Sequence, residues 1–195
     1  MSKKLERKVA LITGGSRGIG AAIAKRLAAD GATVAITYTK GADAAASVVK
    51  EIERAGGKAI AIQADAADAD ASKAAVEKTV ATLGRLDVLV NNAGTAIPKR
   101  FEEATLQELD RVIDINVRGT FVATQAALKH MKSGGRIIMI GSCVGHDPGP
   151  RVLLGHEGSR KDLYSGIVQR AWQPGYYGQQ RPAGPNRHGF ESGRR

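Results

Sequence analysis

The stretch Lys8-Val9-Ala10-Leu11-Ile12-Thr13-Gly14-Gly15-Ser16-Arg17-Gly18-Ile19-Gly20 decides the fold. A short apolar run leads into a glycine-rich turn, and the turn opens an Ala-rich helical stretch. The pattern predicts a strand, a tight turn and a helix start. A helix N-terminus presents unpaired backbone N–H groups and a partial positive charge. Glycine permits the sharp turn and lets an anion reach the backbone with no Cβ in the way. Gly14, Ser16, Arg17, Gly18, Ile19 and Gly20 therefore read as a cradle for a diphosphate.

Outward from this turn, strand-like and helix-like segments alternate as far as Gly145. Short apolar runs at Val9–Ile12, Thr33–Thr37, Ala59–Gln63, Val88–Asn91 and Arg136–Ile140 suit strands buried on both faces. Ile19–Ala29, Ala42–Ala55, Ala71–Leu83 and Thr105–Met131 lie between them as helices. In the last of these, Leu106, Leu109, Val112, Ile113, Val117, Phe121 and Val122 recur at helical spacing. Repeated β-α units predict an α/β fold, a Rossmann-like doubly wound parallel sheet with right-handed crossovers. Its ligand belongs at the C-terminal strand ends.

Beyond Gly145 the texture changes. Residues 146–195 hold the only Trp, three of the four Tyr, three of the four His and five of the six Pro, and apolar periodicity is lost. The chain thus divides into a dinucleotide-binding unit, residues 1–145, and an irregular tail, residues 146–195, whose composition reads as disordered.

Composition narrows the function classes. A chain of 195 residues supports one domain with a sizeable core. No apolar stretch is long enough to span a membrane, and the basic N-terminus runs into a strand rather than a signal-peptide core. Cys143 is the only cysteine, which excludes an internal disulfide and suggests a cytoplasmic setting. The net charge of +10 raises the question of nucleic acid, but the basic residues are dispersed and no nucleic-acid module is visible. A basic tail that binds acidic partners is the residual form of that reading. No metal-binding pattern is expected.

Charge at the end of the second strand selects the dinucleotide. The Rossmann fingerprint wants an acidic residue there for the adenine ribose hydroxyls. This chain has Tyr38-Thr39-Lys40 instead. A carboxylate would repel a 2′-phosphate, whereas Lys40 and Arg17 attract one. The expectation is NADP(H), with NAD(H) the poorer fit.

Four further motifs lie downstream. Asp65, in Ala64-Asp65-Ala66, follows the third strand, where its carboxylate could accept from an adenine amino group; a helix cap or loop role fits equally. Asn91-Asn92-Ala93-Gly94 ends the fourth strand, where small residues let the backbone approach a flat ligand and Asn can lock the turn. Asn116 stands inside a strong helical pattern, where Asn is unfavourable because it competes for backbone bonds. Ser142 closes the fifth strand, where its hydroxyl could bind a carbonyl oxygen or cap a helix. Cys143 has no partners placed to activate it and reads as a small semi-buried residue.

Together, T-G-G-S-R-G-I-G, A-D-A, N-N-A-G, D-I-N-V-R-G-T-F and I-I-M-I-G-S, in this order over residues 8–145, resemble the short-chain dehydrogenase/reductase family, its 3-oxoacyl reductase-like members included. The resemblance implies NAD(P)(H)-dependent interconversion of a small-molecule alcohol and carbonyl in a protein that is usually a homo-oligomer. It implies cofactor contacts from the glycine turn, Tyr38, Thr39, Lys40, Asp65, Ala66, Asn92, Ala93 and Gly94. It also implies that Asn116 holds a water of the proton relay and that Ser142 orients the carbonyl.

The pattern then breaks. The family carries Y-x-x-x-K shortly after the serine, with the Tyr as general acid and the Lys lowering its pKa. Here the residue four after Tyr164 is Val168, and Tyr176 and Tyr177 likewise lack the Lys. The codons available to Leu153-Leu154-Gly155-His156-Glu157-Gly158, moved on by one nucleotide, can spell Y-L-A-T-K. The same shift lets residues 179–189 spell N-N-V-Q-P-G-P-I-D-T, the family's next landmark. The expectation is that the chain after about His146 is translated out of frame, so that the last strands and the catalytic helix are missing and turnover is impaired.

Overall fold

The computed structural model describes residues 3–97 and 100–141; Ser142, Cys143 and the 146–195 segment lie outside the described residues. Five parallel strands alternate with helices. They are β1 (Val9–Ile12), β2 (Thr33–Tyr38), β3 (Lys58–Gln63), β4 (Val88–Asn91) and β5 (Arg136–Met139). The sheet order is β3-β2-β1-β4-β5. The chain builds outward from β1 to β3, then returns to the other side of β1 for β4 and β5. That reversal opens a crevice between the C-terminal ends of β1 and β4, the position where doubly wound sheets take their ligands.

Along β1, β2 and β4 both faces of the sheet are covered, because the strands alternate their side chains between two apolar layers; β5, expected from the sequence to be buried on both faces, is only partly covered and leaves Ile138 exposed. Ala10, Ile12, Val34, Ile36, Val88 and Val90 pack with α1 (Gly18–Ala29) and α2 (Ala42–Arg54). Leu11, Ala35, Ile62 and Leu89 face the other way, against α3 (Ala69–Leu83) and α5 (Thr120–Leu128). The helix faces at these contacts are largely alanine: Ala21, Ala24 and Ala28 on α1, and Ala123, Ala126 and Ala127 on α5. Small residues let these helices lie close on the sheet.

Capping fixes two helix starts. The Asp68 carboxylate accepts from the N–H groups of Asp70 and Ala71 at 2.9 and 3.0 Å and begins α3. Thr105 and Glu108 form a reciprocal capping box at the head of α4 (Leu106–Ile113). The sequence predicts one uniform helix over 105–131. The structure instead inserts a π-helical segment, Asp114–Gly119, between α4 and α5, and Asn116 lies inside it. Wide turns of this kind frequently mark functional positions.

At the opposite end of the sheet from the crevice, Asp87 ties three strand starts together. Its carboxylate accepts from the Val9 N–H at 2.9 Å, from Arg85 Nε and Nη2 at 2.7 and 2.6 Å, and from Lys8 Nζ at 3.2 Å. Its main chain bonds Val9 O and accepts from Arg136 N. Burial pushes the Asp87 carboxyl up, but the hydrogen bonds from Arg85, Val9 and Lys8 outweigh it and hold the group below its ordinary value. A carboxyl whose folded pKa is depressed contributes stability above the unfolded value and loses it as pH falls through the folded one. Asp87→Asn should therefore cost about 2 kcal/mol at neutral pH. In urea melts across pH, the gap between wild type and variant should close below about pH 4. A gap that stays constant with pH contradicts this role.

Candidate functional site

The crevice is an open cleft of about 590 Å³, walled by the C-terminal ends of β1 to β4. Most of its lining comes from the segments that follow β1 to β4, and Arg111 of α4 and Ile115 of the π-helical segment complete it. The β1–α1 turn supplies Gly14, Ser16, Arg17, Ile19 and Gly20. The end of β2 adds Tyr38, Thr39 and Lys40; the end of β3 adds Asp65 and Ala66. The end of β4 adds Asn92, Ala93 and Gly94, with Thr95. Residues far apart in sequence and singled out for separate reasons thus share one cavity. Gly18 is the first residue of α1.

The turn keeps its shape through hydrogen bonds to Thr37 on β2 and to Asn92 just past β4. Gly14 has φ 65° and Gly18 φ 54°, a backbone region that favours glycine. The Gly14 N–H donates to the Thr37 hydroxyl at 3.0 Å. The Gly15 N–H donates to Thr37 O at 2.9 Å. Asn92 locks the turn from the neighbouring strand: its Nδ2 donates to Thr13 O at 2.9 Å and to Gly14 O at 3.0 Å. The Thr13 hydroxyl in turn accepts from the N–H groups of Asn92 and Ala93, each at 3.0 Å. The Thr13 and Gly14 carbonyls, which would repel an anion, are thereby engaged by Asn92 just past β4. No side chain caps α1, whose N-cap is Arg17. The helix start thus keeps its N–H groups and partial positive charge for an incoming anion.

Gly20 shows how closely the parts fit. A Cβ there would collide with the Gly14 carbonyl and lie 2.5 Å from Asn92 Nδ2. Helix α1 is thus pressed onto its own entry turn, which brings its N-terminus to the cleft.

Charge is arranged in two patches. Arg17 and Lys40 are exposed at one end. Beside them, Asp65 accepts from the Ala67 N–H at 3.0 Å and from Arg111 Nη2 at 3.1 and 2.9 Å through its two oxygens. Burial pushes the Asp65 carboxyl up; the Ala67 and Arg111 hydrogen bonds and the charges of Arg111 and Lys40 together bring it below its ordinary value. Asp65 is therefore an ionised acceptor at neutral pH. Arg111, on the last turn of α4, escaped the sequence reading. Nothing in a helical Arg announces a partner 46 residues away.

Asn116 is buried one residue beyond Ile115, which lines the cleft. Its Oδ1 accepts from the Thr95 N–H at 2.9 Å, and its Nδ2 donates to Thr95 O at 2.8 Å. The side chain thus pairs with the N–H and C=O of one residue, as a strand partner would, and staples the π-helical segment to the loop after β4. The sequence singled out Asn116 as a helix misfit; its helix is widened there and its amide satisfied. Ser142 falls outside the described residues. Among the described residues no His, Cys, Asp and Glu cluster could hold a metal, and no helix is long and apolar enough to cross a membrane.

Comparison with known proteins agrees with this geometry. The family model described as short chain dehydrogenase matches residues 8–154. An uncharacterized oxidoreductase of Methylorubrum extorquens is 52% identical over 141 residues, covering 72% of this chain and 57% of the relative. Elsinochrome reductase 1 of Elsinoe fawcettii is 45% identical over 148 residues, covering 76% of this chain and 55% of the relative. The chain thus spans little more than half the length of these curated relatives. Among solved structures, a short chain dehydrogenase from Burkholderia cenocepacia in complex with NADP superposes with a TM-score of 0.73 at 48% identity, over 85% of this chain and 64% of that one. A family match over most of the sequence, resting on a sheet whose crevice carries the same glycine turn, makes this chain a member of the short-chain dehydrogenase/reductase family.

Proposed function

We infer that residues 1–145 form the cofactor-binding unit of an NADP(H)-dependent oxidoreductase that interconverts small-molecule carbonyls and alcohols. One observation carries the reading: a glycine turn packed so tightly that Gly20 has no room for a Cβ opens into the same cleft as two exposed cations, Arg17 and Lys40. The cradle suits a diphosphate and the cations suit a 2′-phosphate. The reductase names of relatives and the NADP of the Burkholderia structure support the same assignment.

In this reading the start of α1 takes the diphosphate, and Arg17 with Lys40 takes the 2′-phosphate. Asp65 accepts from the adenine amino group, and Asn92, Ala93 and Gly94 let the backbone lie against the dinucleotide. When bound, NADPH supplies the hydride. The chain's own part in catalysis would be to orient the carbonyl oxygen through Ser142 and to hold a relay water at Asn116. Asn116 is held for this role by Thr95, which it binds through both ends of its side chain.

Residues 146–195 carry no Tyr with a Lys four positions on. That favours a second reading of the chain as it stands, a dinucleotide-binding protein without turnover whose tail is translated out of frame. Loss of the general acid alone costs about 10²–10⁴-fold in rate. Titrating the chain with NADPH and NADH by nucleotide fluorescence, while following NADPH oxidation with a panel of ketones and quinones, tests both. The expected result is saturable NADPH binding tighter than NADH, with negligible oxidation. Steady oxidation would overturn the second reading, and failure to bind either nucleotide would overturn both.

A further inference from the structure

Arg111 belongs to none of the motifs singled out in the sequence, yet from α4 it reaches Asp65 in the loop after β3. We propose that Arg111 is a positioning residue for base recognition: by holding the Asp65 carboxylate from α4, it fixes the acceptor that distinguishes adenine from other purines. The proposal deepens the reading of this cleft as a dinucleotide site and rests on it.

Asp65 stands in the loop between β3 and α3, a segment with no regular structure to hold its side chain. One oxygen is tethered within that loop, by the Ala67 N–H at 3.0 Å. Arg111 supplies the second tether from another element, spanning both oxygens at 3.1 and 2.9 Å. Arg111 lines the cleft and also an adjoining cavity of about 520 Å³ beside α4, so it forms part of the wall between the two spaces. A carboxylate has roughly four acceptor sites. Those left by Ala67 and Arg111 belong to a side chain one-third exposed at the cleft wall. An acceptor already fixed loses less freedom when its donor arrives than one on a mobile loop.

A guanidinium that merely pinned α4 to the loop would affect every dinucleotide alike. The discriminating probe is the reduced hypoxanthine analogue of NADPH, which carries a carbonyl oxygen where adenine carries the amino group. Fluorescence titration of the full chain should show wild type binding NADPH more tightly than the analogue. In Arg111→Gln that preference should shrink by about 3- to 10-fold, the worth of one hydrogen bond. It should shrink through weaker NADPH binding, with the analogue unchanged. In an Asp65→Asn background the same substitution should leave the preference unaltered.

Equal weakening of both nucleotides, no change in either, or a full Arg111 effect without Asp65 would overturn the proposal. Wild type binding both equally would overturn this role for Asp65 and Arg111 and leave the dinucleotide site standing. Wild type binding neither would remove the site and the proposal together.

Discussion

Gly20→Ala should reduce NADPH affinity at least about a hundredfold and destabilise the chain by about 3 kcal/mol, the upper range for overpacking a filled site. The added methyl collides with the Gly14 carbonyl and sits 2.5 Å from Asn92 Nδ2. Rotating a side chain cannot relieve the first contact, because the obstacle is backbone. Relief needs α1 to move away from its entry turn, or the turn to move away from Asn92. The first withdraws the helix N-terminus from the cleft. The second breaks the 2.9 and 3.0 Å bonds by which Asn92 engages Thr13 O and Gly14 O, and returns two carbonyls to the vicinity of the phosphates. Either way the anion loses its donors, so affinity should fall even among the molecules that remain folded. Thermal melting and NADPH titration check both halves. A variant that melts within about 1 °C of wild type, a small fraction of the shift such a loss implies, would show that the turn is not so tightly filled.

The sequence made this joint legible because each part has a local chemical reason. A glycine is conspicuous where the chain turns, and an Asn after a buried strand is conspicuous as a turn lock. The strands were legible for the same reason, since β1 and β4 are short, wholly buried apolar runs. What escaped was anything set by contact between distant segments. Arg111 looks like any cation on an amphipathic helix; its bond to Asp65 exists only because α3 packs beside α5 and the π-helical segment, which sets the segment at Gly119 against Ala66 in the loop after β3. Asp65 alone was ambiguous between loop and ligand roles, and its Ala67 contact fits the first while its place on the cleft wall suits the second. The π-helical segment is a middle case. Helical periodicity runs through residues 106–122 and hides it, yet the one residue that fits a helix badly, Asn116, marks its position. The Thr13 and Thr37 hydroxyls that hold the turn were missed because a Thr in or beside a strand is expected on packing grounds alone.

Lys40→Asp should invert the nucleotide preference. Lys40 and Arg17 are exposed cations on the cleft wall, and no acidic residue stands at the end of β2, which runs Thr33-Val34-Ala35-Ile36-Thr37-Tyr38 before Thr39 and Lys40. For a 2′-phosphate the substitution removes one charge-assisted bond and adds a repulsion. Each is worth about 1.5–3 kcal/mol where partly shielded from water, so NADPH affinity should fall about a hundredfold or more. For NADH the same change supplies an acceptor for the ribose hydroxyls, so affinity should hold or rise. Adenine recognition should survive, because Asp65 keeps its Ala67 and Arg111 tethers. The loss should also carry a salt dependence. Exposed charges are screened over about 8 Å at physiological ionic strength, so wild-type NADPH binding should weaken as salt rises, while NADH binding by the variant responds much less. Parallel titrations with both nucleotides at low and high salt measure all of this. A variant that still prefers NADPH would move the 2′-phosphate away from Lys40 and leave Arg17 as its anchor.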